Sequence, residues 1–184
     1  MPGLCKSCGS KDGDELRVGI ISDTHGVLHP RVSEVFAGVD YIIHAGDVGG
    51  DEILRALRRI APVTHVEGNI DDGSGYNVAR VTLGGVRFLV THILPRPSDP
   101  EKHVVKALER EPADVVVFGH SHLPHDEIVD GIRYFNPASA GPRRFDYPTS
   151  VGVFECGAGN LAGEHVALDE RSVAALKKRM NQMR

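Results

Sequence analysis

Apolar residues in this chain fall into short β-branched runs that begin at Leu16 and recur between turn signals. Arg17 to Ile21, Tyr41 to Ala45 and Val63 to Val66 are each nearly continuous in apolar character. A strand with one face in water alternates apolar and polar residues, so continuous runs mark strands covered on both faces, as in layered α/β domains. Helical periodicity lies between them. Arg31 to Phe36 predicts a short helix, and over Asp51 to Ile60 the residues Ile53, Leu54, Leu57 and Ile60 share one face. Asp51 stands where a cap belongs, and Pro62 ends the helix.

Further along, the pattern turns antiparallel. Val81 to Leu83 and Val86 to Val90 flank Gly84-Gly85, and Ile128-Val129 and Ile132 to Phe135 flank Asp130-Gly131, a type I′ signal. A helix from about Glu101 to Glu109 leads into the strand Val115 to Phe118. A last pair covers Val151 to Phe154 and His165 to Leu168, and Glu170 to Arg184 reads as a helix with Val173, Leu176, Met180 and Met183 on one face. That face predicts docking on its own domain, with a contact to a second subunit, and hence a homo-oligomer, as the alternative. Helices alternating with strands early and hairpins late make a mixed α/β domain. The expected organisation is a polar leader over 1–15 and one domain over 16–184.

Composition narrows the partners. The 184 residues carry 21 basic and 25 acidic side chains, a formal −4, which offers no field to attract nucleic acid or an anionic membrane surface. No apolar run spans a bilayer. The polar start, MPGLCKSCGSKDGDELR, has no apolar core like that of a secretory signal, so a cytoplasmic protein is expected. Cys5 and Cys8 have the spacing of half a zinc knuckle, but no second pair follows, and Cys156 lies far along the chain. Ten histidines against four tyrosines, six phenylalanines and no tryptophan make imidazole the commonest ring.

Placement gives those histidines meaning. The apolar runs end in Ser22-Asp23-Thr24-His25, Gly46-Asp47, Gly68-Asn69, Thr91-His92 and Gly119-His120-Ser121-His122. Each of these motifs supplies a metal-ligating side chain, and in open α/β sheets ligands bind outside the carboxyl ends of the strands. Asp23, His25, Asp47, Asn69, His92, His120 and His122 can therefore converge on one rim. Mixed carboxylate, amide and imidazole donors suit manganese, iron or zinc better than calcium or magnesium. The set exceeds one tetrahedral ion and suits two ions sharing a carboxylate, an arrangement used on phosphate esters.

These motifs resemble those of the calcineurin-like metallophosphoesterase superfamily, in particular its small bacterial and archaeal phosphodiesterase branch. Asn136-Pro137-Ala138-Ser139 is similar to that branch's Asn-Pro-Gly-Ser segment, and the likeness covers Arg17 to Leu168. The resemblance implies a four-layer αββα sandwich with mixed sheets, the metallo-dependent phosphatase fold. It implies that Asp23, His25, Asp47 and His122 hold a first metal ion, and that Asp47 bridges to a second completed by Asn69, His92 and His120. The implied cofactors are two divalent ions, manganese first, with iron, zinc or nickel as alternatives. The implied activity is hydrolysis of a small phosphoester, a phosphodiester in preference to a monoester, by in-line attack of a metal-bridging hydroxide. Asp47 and Asn69 then serve the chemistry as well as the metals. From the residues themselves, Arg143-Arg144 could clamp a phosphate, Arg143 being the candidate for binding the substrate, with plain surface charge as the alternative. A non-catalytic protein-binding scaffold on the same fold is the rival from another class. This chain departs from the pattern at Ile70, where relatives carry histidine or cysteine, at Ile93 after His92, and at Ala138. Asp71 and Asp72 read as turn residues, and His44 as a support for Asp47.

Overall fold

The computed structural model describes residues 15–73, 75, 77–157 and 160–182. Residues 1–14 of the expected leader, with Cys5 and Cys8, and Met183 and Arg184 at the other end lie outside the described residues. The chain runs β1 (Leu16–Ile21), α1 (Val32–Val35), β2 (Tyr41–His44), α2 (Asp51–Arg58), β3 (Val63–His65), β4 (Val78–Leu83) and β5 (Val86–Thr91). It continues through α3 (Lys102–Arg110), β6 (Val115–Val117), β7 (Pro124–Val129), β8 (Ile132–Pro137), β9 (Ser150–Gly157), β10 (Asn160–Ala167) and α4 (Glu170–Gln182).

Two five-stranded mixed sheets result, one ordered β10-β9-β1-β2-β3 and the other β4-β5-β6-β8-β7. Their facing surfaces form the central core, where Val18, Ile20, Ile43, Val90, Val117, Phe135 and Phe154 are buried together. The outer face of the first sheet carries Ile21 and Ile42 against Phe36 of the α1 turn and Ile53, Leu54 and Leu57 of α2. The outer face of the second packs Leu89, Val116 and Tyr134 with Val104 of α3. Double coverage explains why the central strands read as unbroken apolar runs, and it gives the four layers αββα.

Some boundaries differ from the expectation. Asp51 is the first residue of α2 and makes no capping hydrogen bond, because Gly50, in a backbone conformation with φ 134°, occupies the cap position. Asp51 and Glu52 instead place negative charge at the positive end of the helix. β9 and β10 are longer than their apolar stretches; β10 is an edge strand whose exposed residues, Asn160, Ala162 and Glu164, interrupt the apolar pattern. Both hairpin turns have positive φ at their two central residues, 57° and 82° at Gly84-Gly85 and 51° and 80° at Asp130-Gly131, as the right-handed twist of paired strands requires.

α4 lies across the edges of the two sheets, touching β10 of one and β7 of the other. Leu176 is buried there, whereas Val173 stays 54% exposed. Asp169 caps the helix by accepting the Ser172 N–H at 2.8 Å. The same carboxylate accepts two bonds from Arg143, at 2.8 and 2.7 Å, and one from the Thr149 hydroxyl at 2.8 Å. Burial opposes its ionisation, but these donors outweigh burial and hold the acid well below the usual carboxylate range. A depressed acid stabilises the fold above its unfolded pKa and loses that contribution as pH falls. Asp169→Ala should therefore lower stability by about 1 kcal/mol or more at neutral pH, as for other lost caps. Denaturant midpoints should converge with those of the wild type in acid below the ordinary carboxylate pKa, and a pH-independent gap would contradict this.

Candidate metal centre

The parallel strands β1, β2 and β3 point their carboxyl ends toward the same rim, as do β5 and β6 in the facing sheet. Backbone bonds continue past the strand ends and hold the loops together: Asp23 N–H to Gly46 O at 3.0 Å, His25 N–H to Asp47 O at 2.9 Å, and Gly119 N–H to His92 O at 3.0 Å. Five of the seven predicted ligands have left-handed backbone: Asp23 (φ 53°), His25 (47°), Asp47 (52°), His120 (68°) and His122 (58°). Such conformations are uncommon outside glycine and cluster where function imposes them. Here each turns a side chain sharply off the end of its strand.

All seven predicted residues come together, in two adjoining groups. In the first, oxygen and nitrogen donors of Asp23, His25, Asp47 and His122 lie within 4.8 Å of one another. His25 Nε2 is 3.1 Å from His122 Nε2 and 3.5 Å from Asp47 Oδ2, and His122 Nε2 is 3.4 Å from Asp23 Oδ1. In the second, Asn69 Oδ1 is 2.9 Å from His120 Nδ1 and 3.2 Å from His92 Nε2, and His92 Nε2 is 3.3 Å from Asp47 Oδ1. The two oxygens of Asp47 thus face different groups. Ile93 does not displace His92, whose Nδ1–H donates to Ala45 O at 2.7 Å and whose Nε2 faces the cluster.

Electrostatics fit a cation. Asp23 is fully buried and its Oδ1 has no hydrogen-bond partner. Burial raises its pKa to about 7, with the nearby Asp47 charge adding to the rise. Burial, and then the Arg144 and His25 charges, lower His122 to about 4, and burial is also the main cause of the lowered values at His25 and His120. Burial opposes ionisation of Asp47, but the hydrogen bond from His92 and the Ile70 N–H outweigh it and hold the acid at about 2. His92 is raised; burial acts downward, but the bond to Asp47 prevails. A buried carboxylate oxygen facing largely neutral imidazoles is the donor chemistry of a divalent-metal site.

Several supports have their own logic. A Cβ on Gly68 would collide with Asp47 Oδ1 and the Asp47 amide, and one on Gly119 with Ser22 Oγ, so these loops need bare backbone. Ser139 is buried and its hydroxyl donates to Asp23 O at 2.8 Å, a positioning contact. Ala138 has φ 69° in a segment held by Asn136, whose Oδ1 accepts the Ala138 N–H at 2.9 Å and whose amide donates to Gly119 O at 2.8 Å. His44 supports the Asp47 loop indirectly: its Nδ1 accepts the Gly46 N–H at 3.2 Å and its Nε2 meets Thr24 Oγ1 at 2.9 Å.

Arg143, the predicted phosphate ligand, spends its guanidinium on Asp169 and on Ser172 Oγ at 2.8 Å. Its neighbour Arg144 reaches the cluster, 3.4 Å from His25 Nε2. Nothing in two adjacent arginines indicates which one turns inward. Asp71, read from sequence as a turn residue, does more. It accepts the N–H groups of Val48 at 3.0 Å, Gly49 at 2.9 Å and Gly68 at 2.9 Å, tying the Asp47 loop to the Asn69 loop. Its position three residues after Gly68, in a segment that must turn, was the available signal.

An αββα sandwich gathering two aspartates, an asparagine and four histidines at its strand ends defines a metal-binding protein of hydrolase type. The chain belongs to the calcineurin-like phosphoesterase superfamily, whose domain model matches residues 16–159. It is 33% identical over 144 residues to a probable metallophosphoesterase of Methanothermobacter thermautotrophicus, covering 72% of this chain and 81% of that protein. It is 28% identical over 187 residues to the phosphodiesterase YfcE of Escherichia coli K12, covering 87% and 96%. In fold it is similar to vacuolar protein sorting 29 from Cryptosporidium parvum, with a TM-score of 0.65 at 21% identity over 83% of this chain and 98% of that one.

Losing outer contacts of metal ligands typically lowers metal affinity about 10- to 100-fold. Asp71→Ala should weaken divalent-metal binding to that extent, measured by calorimetric titration, while circular dichroism stays that of the folded protein. Unchanged affinity would show that the two loops hold their positions without it.

Proposed function

We propose that this protein is a dinuclear metal-dependent phosphodiesterase acting on a small phosphoester, with manganese as the preferred ion and iron, zinc or nickel as alternatives. The observation that carries the reading is the division of Asp47: Oδ2 faces His25 at 3.5 Å and Oδ1 faces His92 at 3.3 Å. Asp23, His25 and His122 would hold one ion with Asp47, and Asn69, His92 and His120 the other. When bound, the ions lower the pKa of a water and neutralise charge on the phosphoryl oxygens.

The chain's own residues do the rest. The backbone of Ile70 donates to Asp47 Oδ1 at 3.1 Å and fixes the carboxylate plane, while the Nδ1–H of His92 is anchored on Ala45 O. Arg144 stands beside the first group and supplies a cation for a non-bridging phosphate oxygen. With two divalent ions in place, Asp23 and Asp47 would offset half of their charge and leave a cationic site suited to a diester anion. Ile70, 48% exposed, offers no proton where relatives of this pattern carry histidine or cysteine. That favours leaving groups stable as anions, such as aryl oxides, over simple alkoxides.

No helix among the described residues is long and apolar enough to cross a membrane, and the acidic balance of the chain supports a small-molecule substrate over nucleic acid. Manganese-loaded protein should hydrolyse a bis-aryl phosphate faster than the corresponding monoester. The monoester winning would make it a phosphomonoesterase. No metal uptake and no hydrolysis would favour the scaffold reading, to which the fold likeness to the sorting protein points. Asp47→Asn should reduce turnover by roughly 100-fold or more with the fold intact, and near-normal turnover would refute the bridging role.

A further inference from the structure

A cleft of about 360 Å³ opens beside His120, on the side of the second donor group. Its walls are largely apolar: Leu94, Pro95 and Pro97 from the segment after β5, and Phe118 and Leu123 from the loop that carries His120 and His122. Arg179, reaching in from α4, also lines it, and no acidic side chain does so among the described residues. The Nε of Arg179 is buried without a hydrogen-bond partner. Of the two histidines there, His120 belongs to the second donor group and His125 is already engaged with Glu127 Oε2 at 3.1 Å. The cleft therefore joins a candidate metal ligand to an apolar chamber holding one guanidinium with an unsatisfied donor.

We infer that this cleft binds the alcohol portion of the phosphodiester, and that Arg179 selects an aromatic or apolar group bearing an anionic substituent. The inference rests on the phosphodiesterase reading for its substrate, while the binding it requires does not depend on turnover. Volume and wall chemistry suit a single ring, since ligand pockets combine apolar walls with a few placed polar groups. Arg179 lines the cleft with no acidic wall residue beside it among the described residues, and a carboxylate or phosphate on the ring supplies the guanidinium with a charge-assisted partner. The missing proton donor at Ile70 points the same way, toward aryl leaving groups. Arg144 flanks the first donor group and the cleft flanks the second, so phosphate and ring have separate places.

The test compares methyl para-nitrophenyl phosphate with its analogue carrying a carboxylate ortho to the nitro group, both chromogenic. Manganese-loaded wild type should prefer the carboxylate ester by about tenfold or more in kcat/KM, chiefly through KM. Arg179→Met should remove that preference while leaving the ester without the carboxylate within about twofold, and Arg179→Lys should restore part of it. Leu123→Trp, which fills the cleft, should weaken both esters. The free carboxylated nitrophenol serves as a probe independent of catalysis. Calorimetry should show it binding the wild type at least about tenfold more tightly than Arg179→Met, with melting temperatures confirming that both are folded. Equal loss on both esters, or no preference in the wild type, overturns the role of Arg179. Hydrolysis of the ester without the carboxylate, with no binding of the nitrophenol, overturns the pocket and leaves the phosphodiesterase reading intact. Binding without hydrolysis of either ester keeps the pocket and overturns the phosphodiesterase reading.

Discussion

A carboxylate taken out of water must be met by positive charge or by a proton, and Asp23 is out of water with one oxygen unmatched. Much of the architecture around it serves to hold that mismatch in place. Ser139 holds its carbonyl, the His120 amide donates to its other oxygen at 3.1 Å, and its backbone sits in a left-handed conformation. Burial of Asp23 and of its imidazole neighbours creates demand for a cation that no side chain among the described residues fully meets. The two-sheet core makes this tolerable, because the packing behind the rim is rigid enough to keep strained turns from relaxing.

The donor set was legible because it is written locally. Each ligand follows an apolar strand within a few residues, so strand prediction and ligand position come from one stretch of sequence, as with Ile42-Ile43 leading to Asp47. The four layers were legible for a similar reason: Val18, Ile20 and Ile21 leave no polar face, and a strand without one needs cover on both sides. The left-handed turns were less visible, although Asp and His are among the residues that accept them.

What stayed hidden depends on distant parts of the chain meeting. Asp71 looks like any turn residue until its carboxylate is seen beneath Val48 and Gly49, more than twenty positions earlier. Arg143 and Arg144 are equivalent in composition, and only the position of Asp169 at the head of α4 decides which one is captured and which is left for the cluster. Arg179 belongs to a helix whose pattern declares an apolar face and says nothing of where its polar residues reach. β10 was underestimated because an edge strand exposes polar residues on one face, which weakens the signal that marks its neighbours.

The seven donors do not belong to one sheet. Asp23, His25, Asp47 and Asn69 follow strands of the first, and His92, His120 and His122 follow strands of the second. Neither sheet alone assembles either group, since His122 completes the first and Asp47 and Asn69 complete the second. The gathering of the donors is thus conditional on the packing of one sheet against the other. Each group is an interface feature: a change in the core that shifts one sheet against the other moves the donors relative to one another without touching any of them.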